Sequence, residues 1–516
     1  MTERALELLR QQQRLAELAA FTFNFDLRRA RHCEEVRLAS GASLEPIAGD
    51  DTGGTFFVCG GGPVLYASSE GRAGLLGDSV DEALEVIVGL PGWYDYVDLA
   101  PDDDGEERLL AQIGETEEEM RSSYAPELDA ERAELRAGLG FEARSPVELI
   151  ARLRGALLRT EPGHVLLNAD ELLAYELLDP RARTPLGETV LAPGRSDLAR
   201  MRSDRAAWED VAGDEVRRAT VLRAAQYDRR DDDLPLLRCL LTHQAGGGSM
   251  SEELRLAVVL VAVHGLAEDV PLLHAVRETS LHTRCELWEL PQDAAGAAEW
   301  ARSLDAECFG QDVASEPEFT WIGLARRQGL TEHVRVALIR MLDDTGPDAE
   351  RLRALSRELE LTGDFAQAAR AQRNLVSLQD TAWDRAATGQ TLARLERSSG
   401  DLAGAWRTLE RVRAALGLDK PEPEPVPEQL VFDLGVEGPA EDTSAEHWHR
   451  RGLGGMITEE HLRLALAAVG SGDVELARVA MAHGKTLLKL IGKRFRKELS
   501  PLSTEAKWAV AGLKRS

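Results

Sequence analysis

The chain has 516 residues, of which 43% are hydrophobic and 29% charged, and this composition indicates a folded protein rather than a disordered one. At this length one hydrophobic core is not enough, and we expect roughly three domains. The formal net charge of −28 argues against nucleic acid as a partner, because phosphate groups are bound by an excess of Lys and Arg.

The charge is distributed unevenly along the chain. From Arg478 to Ser516, ten Lys or Arg residues stand against two carboxylates, so this segment carries +8 and the remainder −36. All seven lysines lie at or beyond Lys420. Two interpretations stay open: the codon bias of a GC-rich genome, or a C-terminal segment that forms a separate functional surface.

The cysteines and the apolar segments bear on the compartment. Five cysteines without a Cys-x-x-Cys pair are typical of reduced thiols in a cytoplasm. Residues 1–20 have the charge pattern of an amphipathic helix rather than of a signal peptide. The most apolar stretch, Leu256–Leu266, is too short to cross a bilayer. We expect a cytoplasmic protein of bacterial type, without membrane association.

The first predicted elements form a small α+β domain over residues 1–100. Thr55–Cys59 and Pro63–Ala67 are β-type runs on either side of a glycine turn, which together predict a hairpin. Ser79 can cap a helix over residues 80–88.

This region resembles the later half of SUKH-type domains over about residues 50–98. The resemblance is carried by Gly53–Cys59, Gly62–Tyr66, Ser69–Gly71 and the helix that follows. The family includes many bacterial immunity proteins, which bind and neutralise toxins of rival cells. The resemblance therefore implies a binding function.

Residues 106–345 have Leu and Ala at spacings of three and four, a pattern that predicts a helical region similar to HEAT repeats. The helices predicted there are Pro146–Leu158, Asp197–Gln226, Leu234–Leu241, Glu252–His264, Val270–Thr279 and His333–Leu342.

A Gly-Asp pair followed by a small residue recurs three times in the last third of the chain. The copies are Gly363-Asp364 with Ala368, Gly400-Asp401 with Ala405, and Gly472-Asp473 with Ala477. Their separations of 37 and 72 residues are about one and two periods of a helix-turn-helix repeat.

The motif resembles the tetratricopeptide (TPR) repeat, at about residues 348–415 and 458–490. The resemblance implies TPR-like hairpins over residues 346–419, with the Gly-Asp pair in the turn between two helices. It also implies a groove lined by Arg353, Arg357, Arg394 and Arg397, which would bind an acidic peptide. In the alternative interpretation these arginines pair with nearby glutamates.

Residues 420–450 are predicted to be an acidic, proline-rich linker, because the alternating prolines of Pro421–Pro427 favour extended backbone. The TPR-like unit at residues 451–516 is therefore expected to pack apart from the first two copies.

This last unit ends in a basic segment. Lys485, Lys489, Lys493 and Lys497 recur every four residues with apolar residues between them, which predicts one amphipathic basic helix. Such a helix can dock on an anionic membrane or an acidic partner, or cap a helical solenoid. We favour the capping role.

No catalytic, metal or cofactor site is predicted. Gly60–Pro63 lacks a phosphate-binding pattern, and Cys59 would be a nucleophile only beside a histidine. His447 and His449 lack further metal ligands, and Asp231–Asp233 precedes an apolar helix, where acidic residues favour the dipole.

The sequence thus predicts a mainly α protein, with a small α+β N-terminal domain followed by an α-helical repeat solenoid. We expect a non-catalytic scaffold, adaptor or immunity-type protein that binds a protein or an acidic peptide. The alternative is an enzyme with its site in the N-terminal domain, near Cys59, Tyr66 and Trp93.

Overall fold

The computed structural model describes residues 4–97, 105–247, 250–310, 312–418 and 447–513. The chain forms two compact units. The first consists of Met1–Leu167 and Tyr175–Ala337, and the second of Asn168–Ala174 and Leu338–Ser516. Helices dominate the described residues, and a small sheet lies near the N-terminus. The predicted fold class, mainly α with an α+β N-terminal part, is confirmed.

The sheet belongs to the first unit and contains the predicted hairpin. The described strands are β1 Val36–Leu38, β2 Leu44–Gly49, β3 Thr55–Cys59, β4 Val64–Ala67, β5 Arg72–Gly77, β6 Leu166–Asn168 and β7 Glu176–Leu177. Five of them form a sheet in the order β2-β3-β4-β5-β7, in which β7 runs parallel to β5 and the other neighbours are antiparallel. The hairpin of β3 and β4 places Phe56 opposite Tyr66.

Both faces of this sheet are buried. Because successive side chains of a strand point to opposite faces, Phe56 and Tyr66 lie in one core while Phe57 and Cys59 lie in another. The Phe56 face is covered by helices that precede the strands in the sequence and by helices that follow them. Tyr175 covers part of the other face.

The core on the Phe56 face continues beyond residue 100, where the sequence suggested a domain boundary. Leu109, Leu135 and Leu153 of later helices pack in it, as does Leu178, which follows the last strand. The α+β part therefore reaches Leu178, because its edge strand β7 and part of its helical cover come from these later residues.

The helices up to residue 343 are α1 Arg4–Gln11, α2 Gln13–Thr22, α3 Val80–Gly89, α4 Gly105–Ser123, α5 Leu128–Leu139, α6 Pro146–Leu157, α7 Leu186–Ser203, α8 Ala207–Gly213, α9 Glu215–Tyr227, α10 Leu234–Ala245, α11 Glu252–Ala262, α12 Val270–Arg277, α13 Leu281–Glu286, α14 Ala294–Cys308, α15 Glu318–Arg327 and α16 Thr331–Asp343. α3 begins at the predicted cap, since the Ser79 hydroxyl accepts a hydrogen bond from the Glu82 N–H at 3.2 Å.

One predicted helix is wrong. The span Asp197–Gln226 is divided among α7, α8 and α9. The reason is local, because the carboxylates of Asp204 and Asp214 accept hydrogen bonds from the N–H groups of Ala206 and Val216. Asp side chains that bind the backbone in this way interrupt a helix and start the next one.

The second unit contains α17 Ala349–Leu361, α18 Phe365–Ser377, α19 Ala382–Ser399, α20 Leu402–Ala415, α21 Gly452–Gly470, α22 Val474–Leu490, α23 Lys493–Glu498 and α24 Ser500–Gly512. The three Gly-Asp pairs join α17 to α18, α19 to α20, and α21 to α22, so the predicted turns are confirmed.

These three turns share one geometry. Gly363, Gly400 and Gly472 have φ of +78°, +91° and +79°, which glycine adopts without a steric cost. Each aspartate N–H donates to the carbonyl five residues earlier, as in a Schellman motif, and each aspartate side chain caps the next helix. The small residues Ala368, Ala405 and Ala477 are completely buried where the helices meet.

The third hairpin packs against the second, which the sequence did not predict. Ala405 and Leu409 of α20 share a core with Leu462 of α21 and Met481 of α22. The expectation that the third copy packs apart is therefore wrong, because apolar side chains of both hairpins are buried against each other. Most of the predicted linker, residues 420–446 of 420–450, lies outside the described residues.

Candidate functional site

Two of the four predicted groove arginines are engaged in bidentate ion pairs within the second unit. Arg394 of α19 donates to Glu360 of α17, with 2.8 Å between Nη2 and Oε2. Arg397 donates to Glu460 of α21, whose side chain is 2% exposed. These pairs correspond to the alternative interpretation, in which the arginines neutralise nearby glutamates.

The other two predicted arginines, Arg353 and Arg357, are exposed on α17. They lie one turn apart on the same face of the helix. Neither forms an ion pair with a residue that the structure describes. Among the described residues, only this half of the predicted groove therefore presents guanidinium groups without a carboxylate partner.

The basic C-terminal segment forms more than one helix, which corrects the predicted single amphipathic helix. Lys485 and Lys489 lie on α22, whereas Lys493 and Lys497 lie on α23. The chain is extended at Ile491, whose φ and ψ are −72° and 157°. Ile491 is buried in the core of the unit, and this burial turns the chain between the two helices.

The apolar side chains of this segment are used inside the second unit. Leu487, Ile491 and Leu499 are buried in a core that also contains Val412 of α20 and Ile457 of α21. The segment thus covers the end of the hairpin stack, as the capping interpretation expects.

The charged side chains of the segment face outward. Lys485, Lys489, Lys493, Lys497 and Lys507 are all exposed, and none forms an ion pair within the described part of the chain. Trp508 of α24 is 72% exposed, although a tryptophan is usually largely buried. The exposure of this tryptophan depends on how α24 packs and therefore leaves no signal in the sequence.

Cys59 does not have the environment of a nucleophile. Its side chain is 2% exposed, and burial raises the pKa of the thiol to about 12, so that the thiolate is suppressed at neutral pH. Tyr66 and Trp93, named with it in the sequence analysis, lie on the opposite face of the sheet. They line a cavity of about 620 Å³, and the alternation of side chains along β3 and β4 is the signal that separates them from Cys59.

The remaining candidate residues make contacts with other side chains of the folded chain. Asp233 is buried against the guanidinium of Arg202, with 2.9 Å between Oδ1 and Nε. The rings of His447 and His449 stack with centroids 6.4 Å apart. Within the described ranges no group of three or more His, Cys, Asp or Glu side chains could hold a metal ion.

No family model matches the chain, and neither curated proteins nor solved structures match it significantly. No helix in the described part of the chain combines the length and apolar composition needed to span a bilayer.

Proposed function

We propose that this chain is a non-catalytic binding protein of the scaffold, adaptor or immunity type, which binds an acidic partner protein through its second unit. The proposed contact is the basic C-terminal surface, defined as Lys485, Lys489, Lys493, Lys497 and Trp508. The observation that carries the proposal is that these four lysines are exposed and form no ion pair with any residue that the structure describes, in a chain of net charge −28.

The acidity of the rest of the chain favours this surface as the contact with an acidic partner. A strongly acidic chain repels an acidic partner over most of its surface, so that such a partner is steered to a locally basic region. Exposed lysines contribute little to folding through ion pairs, so their charge remains available for the carboxylates of a partner. Trp508 adds a large apolar surface of the kind that is enriched in binding hot spots.

The packing of the segment favours a protein over a membrane. A helix that lies on a bilayer inserts its apolar face, but Leu487, Ile491 and Leu499 are buried inside the second unit. The lysines can still reach a carboxylate-rich surface without any rearrangement of the helices.

The test measures the binding of a fluorescent oligoglutamate peptide to the full chain by anisotropy. Replacing the four lysines by glutamine should weaken binding by about tenfold or more, and raising the salt concentration should have a similar effect. Arg353→Gln with Arg357→Gln is the control, because it changes exposed positive charge on another helix of the same unit and tests the predicted groove.

The comparison separates three results. Loss of binding only in the lysine variant supports the basic C-terminal surface. Loss only in the arginine variant would contradict it and assign binding to α17. Association with phosphatidylserine vesicles without any affinity for the peptide would replace the proposed protein partner by a membrane.

A further inference from the structure

The cavity beside the sheet of the first unit has an unusual lining. Its walls come from Asn24 just after α2, the strands β3 and β4 with the turns on either side of their hairpin, residues 91–95 and the second half of α4. The residues that line it include five aromatic side chains and five carboxylates, whereas no Lys, Arg or His is among these described lining residues. They are Phe56, Tyr66, Trp93, Tyr94 and Tyr124, with Asp50, Asp51, Glu70, Asp95 and Glu119.

Three of the rings form a corner in this cavity. The ring centroids of Tyr66 and Trp93 are 5.0 Å apart. The ring centroid of Tyr94 lies 5.8 Å from that of Tyr66 and 5.6 Å from that of Trp93. The interplanar angles are 85°, 70° and 77°, so the rings stand nearly perpendicular to one another. In this T-shaped arrangement the edge of one ring points to the face of its neighbour, and all three rings contribute to the lining of the cavity.

Asp50 holds one ring of this corner, that of Tyr66, in place. Its Oδ2 accepts a hydrogen bond from the Tyr66 hydroxyl at 2.6 Å, while its Oδ1 accepts from the N–H groups of Thr52 and Gly54 at 2.9 Å and 2.7 Å. Asp50 is therefore a positioning residue. A Tyr66 ring that is fixed before a ligand binds lowers the entropic cost of binding that ligand.

The other four carboxylates have no such role. Asp51, Glu70, Asp95 and Glu119 form no side-chain hydrogen bond or ion pair with any residue that the structure describes. The negative charges influence each other. Partial burial and the charge of Glu119 raise the pKa of Asp95. Burial together with Asp51, Asp95 and Glu119 likewise raises the pKa of the Tyr124 phenol.

We infer that this cavity binds an organic cation, which places an alkylammonium group between the ring corner of Tyr66, Trp93 and Tyr94 and the carboxylates of Asp95 and Glu119. Ring faces attract a cation within about 6 Å of their centroids, and carboxylates without basic partners add a Coulomb attraction. Among the described residues no three of these carboxylates are grouped closely enough to hold a metal ion, whereas the aromatic lining is suited to an alkylated cation. The cationic group can belong to a free amine or to a lysine side chain of a partner.

The test is calorimetric titration of the full chain with choline chloride, butylammonium chloride and N-acetyl-lysine amide. The neutral control is 3,3-dimethylbutan-1-ol, which has the shape of choline without its charge. The cations should bind at least about tenfold more tightly than this alcohol. Tighter binding of the lysine amide than of butylammonium points to a protein ligand, and the reverse order points to a free amine.

Matched variants locate the binding. Asp95→Asn with Glu119→Gln removes two exposed carboxylates of the cavity and should lower the affinity for the cations by about tenfold. Glu115→Gln is the control, because it removes an exposed carboxylate one turn earlier on α4, outside the cavity lining. Tyr94→Leu should weaken binding, whereas Tyr94→Phe keeps the ring and should preserve it.

Three results would overturn the inference. The first is equal binding of choline and its neutral isostere, and the second is the absence of heat with every cation. The third is an effect of Glu115→Gln as large as that of the Asp95 and Glu119 pair. Such a result would show that the net charge of the chain, and not the cavity, determines the affinity for cations.

Discussion

Arg397 on α19 and Glu460 on α21 form a bidentate ion pair that joins the second helical hairpin to the third. The two partners differ in burial: 20% of the Arg397 side chain is exposed, against 2% of Glu460. The carboxylate therefore depends on the guanidinium more than the guanidinium depends on the carboxylate.

We predict unequal effects when either partner is removed. Arg397→Met leaves a buried carboxylate without its partner and should lower the free energy of unfolding by about 3 kcal/mol. Glu460→Gln leaves a guanidinium that can reach water and should cost only about 1 kcal/mol. Urea unfolding of both variants measures the difference, and equal losses would show that the burial of the carboxylate does not decide the cost.

Two neighbouring glycines should respond to alanine in opposite directions. Gly472 has a φ of +79° and open space where the methyl group of an alanine would lie, so Gly472→Ala should destabilise by about 1 kcal/mol through the backbone alone. Gly470 ends α21, also with open space, and Gly470→Ala should stabilise by several tenths of a kcal/mol. Thermal unfolding of the two variants would contradict this account if the shifts had the same sign.

His461 should make the stability of the second unit depend on pH. It is completely buried on α21, its Nδ1–H donates to the Ile457 carbonyl at 2.8 Å, and burial lowers its pKa to about 4. An unfolded histidine titrates near pH 6.5, so the unfolded chain binds more protons between about pH 6.5 and 4. The stabilisation from the neutral ring is complete above this range and is lost as the pH falls, by up to about 3 kcal/mol.

Urea unfolding at several pH values between 7 and 4 checks this dependence. The variant His461→Gln should lose less stability across the range than the unmodified chain, because its side chain does not titrate. Parallel pH curves for the two proteins would exclude His461 as the cause.

The cysteines should differ in reactivity according to their exposure. Cys33, Cys285 and Cys308 are exposed, whereas Cys59 is buried with a raised thiol pKa. Maleimide labelling followed by peptide mass spectrometry should modify the three exposed thiols in the native protein, and Cys59 only after denaturation. Rapid native labelling of Cys59 would revive the alternative of a nucleophile at this position.

The features that the sequence predicts correctly are local. The hairpin of β3 and β4, the cap at Ser79 and the three Gly-Asp turns each depend on residues a few positions apart. Glycine conformation, aspartate caps and strand alternation act over such short distances. These rules are sufficient without any knowledge of the surrounding fold.

The features that the sequence does not predict depend on distant residues. Arg397 and Glu460 are 63 positions apart, so the pairing of a predicted groove arginine is visible only in the folded unit. The cavity likewise combines the hairpin region with residues of α4. The exposed lysines could be named from the sequence, but the burial of Ile491 that divides them between two helices could not.

The position of β7 affects the order in which the first unit can be completed during synthesis. Its residues Glu176 and Leu177 pair with Arg72 and Ala73, which leave the ribosome about a hundred residues earlier. Until then β5 is an unpaired edge, and an exposed edge strand invites pairing with other chains. A fragment that ends near residue 100 should therefore aggregate, whereas one that continues past Leu178 carries every strand of the five-stranded sheet.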